Sequence, residues 1–177
     1  MLGTLGRIGV SMDAPMRPTF ATHQKGSTTL YGDCGGLWVM MLHGKPTVAD
    51  MLLARPSLKA MSQRHPDGFP TLTWILPSAG FSMDADARNA ATDVTKEYND
   101  SIRAMATLIE GTGFQAAAVR AIVSGMDLVA RAKAPKKTFA EVAPTVGWCV
   151  GLRPDRDREA GTSDEITALL AEVRRGL

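Results

Sequence analysis

Two serines lie where an apolar stretch meets a helix-like pattern, in the segment TLTWILPSAGFSMDADARNAATDVTKEY at residues 71–98. Ser82 in GFSMD nearly matches G-x-S-x-G, a sharp turn that exposes a nucleophilic serine, but Asp84 replaces the last glycine. In hydrolases with this turn the histidine follows the serine, whereas here every histidine precedes it. They are His23, His43 and His65. A histidine-activated Ser82 would therefore require a convergent arrangement.

Ser82 also fits a simpler role at the start of the helix that follows it. A serine at this position can accept a hydrogen bond from a free backbone amide, which stabilises a helix by about 1 kcal/mol. Ser78 lies just before it, at the end of the apolar stretch. The pair could serve as nucleophile, modification site or helix cap, and the residues favour a helix cap at Ser82.

Side chains that could bind a metal ion are present, but their spacing does not bring them onto one element. The sequence contains neither H-x-x-x-H nor C-x-x-C, the spacings at which zinc ligands commonly recur. The candidate ligands are Asp33, Cys34, His43, His65 and Asp67. We therefore predict no metal site.

The segment EGTGF at residues 110–114 places glycines between a predicted strand and a predicted helix. Backbone amides at such a junction can hold an anion, so Glu110, Thr112 and Gly113 are candidate ligand residues. One G-x-G without further glycines is also typical of a tight turn with glycine at positive φ. We find no cofactor fingerprint and no nucleophile with a base, so we predict that the protein binds no cofactor and is not an enzyme.

Apolar segments with strand character alternate with amphipathic segments between residues 27 and 150. A strand pair joined by a glycine-rich turn, Gly32–Gly36, precedes a helix that opens with a Thr47–Asp50 cap. Pro56 should kink or restart that helix, because proline lacks an amide proton. Strands alternating with helices indicate parallel crossovers. We predict an α/β domain with a mixed or parallel sheet and the element order ββαβαβαβα.

Three further segments flank this domain. Residues 1–26 lack periodicity and are predicted to form an irregular arm, and residues 151–161 read as a charged linker. The apolar spacing in residues 162–177 predicts an amphipathic helix that begins with a Thr162–Glu165 capping box. Its apolar stripe comprises Ile166, Leu169, Leu170 and Val173. Because so short a helix is marginal alone, the stripe must dock on its own domain, on a second copy or on a partner.

The bulk composition excludes several classes of protein. The chain has 177 residues, of which 45% are hydrophobic and 21% charged, as in ordinary globular domains. A net charge of +2 supplies no basic field for nucleic acid. We find no signal peptide and no membrane-length apolar run, and we expect a cytoplasmic protein. Cys34 and Cys149 lie far apart in sequence and are predicted to be buried free thiols.

Residues 28–150 resemble the STAS family, the sulfate-transporter and anti-sigma-factor-antagonist domains with their SpoIIAA-like relatives. The phrases that carry the resemblance are GLWVMMLHGKPT, LPSAGF, IEGTGFQAAAVRAIVSGMDLVARAKAPKKTF and GWCV. The likeness is to divergent members of the kind found in myxobacteria. It implies a non-catalytic domain that regulates a partner protein by docking onto it.

In the antagonists of this family, phosphorylation of a serine at the start of the second helix prevents docking. The resemblance places that serine at Ser82, with Ser78 beside it, although Phe81 replaces the aspartate that usually precedes it. A phosphate there would gain from the helix N-terminus but would face Asp84 and Asp86. The resemblance thus implies an interaction module with a protein partner or homo-oligomer, in which the C-terminal helix adds a self or partner contact.

The alternative is a small-ligand binder for a lipid, nucleotide or anion, or a weak enzyme. Open α/β sheets usually hold ligands at the carboxyl ends of their parallel strands. Ser82, Glu110, Thr112 and Gly113 would line such a site.

Overall fold

The computed structural model describes residues 17–79, 83–111, 117 and 133–177. Within these residues the protein is an α/β domain built on one six-stranded mixed sheet. The strands are β1 (Ala21–Lys25), β2 (Thr29–Cys34), β3 (Leu37–Leu42), β4 (Phe69–Ile75), β5 (Ile102–Ile109) and β6 (Lys136–Phe139). The helices are α1 (Val48–Leu52), α2 (Ala54–Arg64), α3 (Ala85–Glu97), α4 (Val142–Gly151) and α5 (Ser163–Arg175).

The six strands lie side by side in the order in which they occur along the chain. β1, β2 and β3 form an antiparallel meander, and β3 to β6 are parallel. The β2–β3 turn consists of Gly35 and Gly36, at φ 52° and 74°. Two consecutive residues at positive φ match the twist of a hairpin, and glycine adopts this conformation without strain.

The predicted α/β class is confirmed, and the described elements add one strand to it. β1 lies within residues 1–26, which were predicted to be irregular, and it pairs with β2 at the sheet edge. The predicted helix of residues 114–133 lies almost wholly outside the described residues. The first helical segment is divided at Leu53, which places Pro56 in the first turn of α2. Amide protons in a first turn have no partner in the helix, so proline costs little there.

Helices cover both faces of the sheet. Alternate residues of β3 point to opposite sides, so that Val39 and Met41 pack towards α4 and α5 while Trp38 packs towards α2. Cys34 and Cys149 are buried in the core on the α4–α5 side and are free thiols, as predicted. Burial raises the pKa of each thiol to about 12.

The C-terminal helix α5 packs on its own domain. The Thr162–Glu165 capping box forms as predicted. Ile166 and Leu170 have no exposed surface and belong to the core that includes β2, β3 and β4. Leu169 and Val173 pack against the same core and are partly buried. The buried side chains of this stripe are therefore not available to an external partner, contrary to the docking role considered from the sequence.

Residues 151–161 are tied to the sheet rather than extended as a spacer. The Arg153 side chain is buried and donates to the carbonyl oxygens of Gly35 and Gly161, at 2.6 and 2.9 Å. Burial lowers the pKa of the Arg153 guanidinium. A short 3-10 helix, Asp155–Asp157, follows it. This segment joins the β2–β3 hairpin to the start of α5.

Candidate functional site

The loops at the carboxyl ends of the parallel strands were the predicted site, and the structure describes part of them. Ser78 is exposed in the 3-10 turn Pro77–Ala79 that follows β4. Ser82, Thr112 and Gly113 lie outside the described residues. Helix α3 begins at Ala85 with Asp84 in the N-cap position. Asp84 thus holds the N-cap position for which Ser82 was predicted, and Ser82 itself lies outside the described residues.

Glu110 is bound by the protein itself. Arg174 of α5 donates to both carboxylate oxygens, through Nε at 2.7 Å and Nη2 at 2.6 Å. The indole Nε1 of Trp74 donates to the same carboxylate at 3.1 Å. Gly111 has a φ of 101°, which favours the tight-turn interpretation of this segment. Glu110 thus fastens α5 to the end of β5 and is not an open ligand residue.

A serine, a histidine and an aspartate do come together, but at positions that sequence reasoning missed. His23 lies at a bulge of β1, and its Nδ1 is 2.8 Å from Ser57 Oγ of α2. Its Nε2 is 2.5 Å from Asp33 Oδ1 of β2. The indole Nε1 of Trp38 donates to Ser57 Oγ at 2.7 Å, and Arg64 donates to Asp33 at 2.8 Å.

The environment of this trio indicates a structural role. Ser57 is only 1% exposed, so its oxygen cannot approach a substrate, and one of its lone pairs already receives the Trp38 indole. Asp33 is also held by an ion pair with Arg64 of α2. We conclude that the trio anchors β1 to α2 and fixes the ring of Trp38.

A second polar cluster surrounds the buried carboxylate of Asp50. Thr47 completes the predicted capping box of α1, and Ser27 and Thr28 donate to Asp50 from the β1–β2 turn. Burial alone would raise the pKa of Asp50, but the hydrogen bonds from these residues outweigh it and hold the pKa well below its usual range. A Cβ at Gly26 would collide with this carboxylate. The cluster therefore holds the β1–β2 turn against the start of α1.

A pocket lies between the sheet and helices α1 to α3. Its volume is about 70 Å³, several times the roughly 10–15 Å³ that one water molecule requires. Tyr31, Trp38 and Met40 form part of its floor, and Leu58 and Val94 are among the helix residues that enclose it. Most of the lining side chains are apolar, and the pocket is suited to a small apolar group.

The aromatic residues of the pocket present carbon rather than polar atoms to it. The Tyr31 hydroxyl donates to the carbonyl oxygen of Asp50 at 2.7 Å. The Trp38 indole nitrogen is bonded to Ser57. Both polar clusters therefore lie behind the pocket wall and fix the rings that form it.

The comparisons with known proteins return no match among family models, curated proteins or solved structures. Across the described ranges, no group of three or more histidine, cysteine, aspartate or glutamate side chains is placed to hold a metal ion. None of the helices in those ranges is long and apolar enough to cross a membrane.

Proposed function

We propose that this chain is a non-catalytic binding module that receives a small, mainly apolar ligand in the pocket between β2–β5 and α1–α3. The observation that carries the proposal is a partly open pocket of about 70 Å³ with predominantly apolar walls. Small molecules usually bind in concave sites that are lined mostly by apolar side chains with a few polar groups.

The walls of the pocket are held firmly enough to select a shape. Trp38 is fixed by Ser57, and Tyr31 is fixed by the backbone of Asp50. A site whose side chains are locked before binding loses little conformational freedom when the ligand enters. This preorganisation favours a binding function over a packing defect.

The resemblance of residues 28–150 to the STAS family supports a regulatory role for such a module. The α/β class is consistent with that resemblance. Under this proposal, occupation of the pocket alters how the domain meets its partner, and no bond of the ligand is made or broken.

Benzene should raise the thermal unfolding midpoint of the wild-type protein in a saturable manner. At ten times its dissociation constant, a ligand adds about 1.4 kcal/mol to stability, or about 3–6 °C for a chain of this size. Ala91→Leu should abolish the rise, because Ala91 of α3 lines the pocket and the added side chain would occupy it. Differential scanning fluorimetry across a benzene titration measures both effects.

Ala85→Leu supplies the matched control, since Ala85 is exposed on the same helix and should leave the benzene response unchanged. The absence of a saturable shift in the wild-type protein would refute the proposed pocket. If benzene raised the unfolding midpoint of Ala91→Leu as much as that of the wild-type protein, benzene would be bound outside the pocket.

Docking of a protein partner is a second candidate, and it rests on a different observation. Val48 and Leu52 of α1 are 40% and 36% exposed and lie one helical turn apart on the same side. Helix α1 packs against α3, and Lys45 forms an ion pair with Asp84 at 2.9 Å just before α3 begins. An apolar pair beside this helix start matches the region where the family resemblance places docking.

Leu52→Asp should abolish recovery of a partner if this surface docks one, because a charge would have to be buried in the interface. The measurement is affinity purification of the native protein with identification of the co-eluting chains. Leu177→Asp, at a comparably exposed leucine, should retain the partner. Equal recovery with both variants, or no partner with the wild-type protein, would remove this candidate.

A further inference from the structure

The two faces of the central parallel strands differ in a way that a purely structural sheet does not require. On the face towards α4 and α5, β4 presents Leu72 and Trp74. On the opposite face, the strand carries Thr71 and Thr73. Parallel strands that are covered on both faces normally read as continuous apolar runs. The threonines therefore depart from the expected pattern on the face where the pocket lies.

Threonines also occupy the corresponding positions of the neighbouring strands on this face. Thr73 of β4 is in register with Thr107 of β5, and Thr107 is in register with Thr138 of β6. These three side chains form a row of hydroxyl groups across the sheet, because strand partners in register point to the same face. The row begins at the pocket and runs away from it towards β6.

The hydroxyl groups near the pocket differ in whether the protein satisfies them. Thr71 donates to the carbonyl oxygen of Ala104 at 3.2 Å, and Thr95 of α3 donates to Ala91 at 2.9 Å. In the part of the chain that the structure describes, the hydroxyls of Thr73 and Thr107 make no hydrogen bond to protein. Both residues are partly buried, and neither hydroxyl is among the fully buried polar atoms without a partner, so both are open to solvent or to a ligand.

A second, smaller pocket adjoins the first along this row. Its volume is about 20 Å³, enough for roughly one water-sized group. The two pockets share Thr71, Thr73 and Met105 in their walls. The second is bounded further by Thr107 and Thr138 and by the lysines Lys136 and Lys137. The combined space is thus apolar over its larger part and lined at one end by hydroxyl groups and lysine side chains.

We infer that the ligand of this site is a small amphiphile: a single ring or short aliphatic chain that carries one hydroxyl or carboxyl oxygen at its end. This inference rests on the proposed function and specifies its ligand class. The apolar body occupies the space beside Trp38 and Met40. The oxygen enters the smaller pocket and exchanges hydrogen bonds with Thr73 and Thr107, which satisfies both hydroxyls.

Benzene and phenol provide a matched pair of probes, because they differ only in the oxygen that the inference concerns. Thr73→Val removes the hydroxyl and keeps the shape of the side chain. It should weaken phenol binding about five-fold, the value of one neutral hydrogen bond, and change benzene binding less than two-fold. Isothermal titration calorimetry on the full chain measures the four dissociation constants.

Two further variants distinguish this effect from a general loss of structure. Thr71→Val, on the same strand and face, should leave the ratio of phenol to benzene affinity unchanged, since its hydroxyl is already bonded to Ala104. Thr73→Ser should retain the preference for phenol over benzene that Thr73→Val loses, because serine keeps the hydroxyl group. If Thr73→Val does not fold, Thr107→Val repeats the test with the second unpaired hydroxyl.

The outcomes separate this inference from the proposed function. If benzene binds but Thr73→Val changes the affinities for benzene and phenol equally, or changes neither, the inferred amphiphilic ligand is refuted. The proposed apolar binding pocket would remain supported. If neither probe binds the wild-type protein at saturating concentration, the proposed function fails and the amphiphile fails with it. Weaker binding of phenol but not of benzene to Thr73→Val, together with wild-type phenol binding to Thr73→Ser, supports an amphiphilic ligand.

Discussion

Asp50→Ala should lower the free energy of unfolding by about 3–6 kcal/mol, equivalent to the loss of two hydrogen bonds to a charged group at about 1.5–3 kcal/mol each. Asp50 is 2% exposed and accepts from the backbone amides of Ser27 and Thr47 at 2.9 and 3.1 Å. The hydroxyls of Thr28 and Thr47 donate to it at 2.9 and 2.8 Å. Alanine would leave these donors unpaired and release the β1–β2 turn from α1.

The same carboxylate should give the protein an acid-dependent stability. The hydrogen bonds hold the pKa of Asp50 in the folded protein well below the ordinary value of 3.8, despite the opposing effect of burial. A group with a lowered folded pKa binds more protons when unfolded, so its contribution is complete above about pH 4 and is lost as the pH falls below that value. In the Asp50→Asn variant, the free energy of unfolding should therefore depend less on pH below about pH 4.

Urea unfolding between pH 2.5 and pH 7 measures both effects. Asp93→Asn is the matched control, because Asp93 is exposed on α3 and should change stability by less than about 0.5 kcal/mol. An Asp50→Asn protein with the wild-type dependence on pH would show that this carboxylate does not hold the turn.

Leu170→Ala should cost about 2–5 kcal/mol of unfolding free energy, the range for a buried leucine whose removal leaves a cavity. Leu170 of α5 has no exposed surface and packs in the core of the α4–α5 face, together with Ile166. The bidentate pair between Arg174 and Glu110 then ties the end of α5 to β5. The C-terminal helix is thus expected to stabilise the domain that precedes it.

Leu177→Ala changes the same residue type at an exposed position and should alter stability by less than about 0.5 kcal/mol. Chemical unfolding combined with light scattering distinguishes the alternatives for α5. If the helix served an external contact instead, Leu170→Ala would change the association state and leave the unfolding free energy close to that of Leu177→Ala.

Local patterns were sufficient for much of the fold. The Thr47–Asp50 and Thr162–Glu165 caps form as their spacing predicts, because a capping box depends only on residues within one turn. The apolar stripe of α5 is buried as its helical period requires. Strand β1 was missed because its five residues, ATHQK, carry neither an apolar face nor a run of β-branched side chains.

The candidate site depends on contacts between distant segments, and it could not be predicted from spacing. Ser57, His23 and Asp33 meet only because β1 pairs with β2 and α2 crosses them. The pocket likewise requires the register of three strands and the position of α3. One signal was visible in the sequence: Thr71 and Thr73 alternate with apolar residues in a strand that was expected to be buried on both faces.

A crystal structure of the protein soaked in phenol tests the proposed pocket most directly. Electron density for one ring should lie in the pocket beside Trp38 and Met40, with the phenol oxygen about 3 Å from Thr73 Oγ1. A fully occupied phenol found only on the outer surface, with the space beneath α2 and α3 empty or closed, would contradict the proposed pocket.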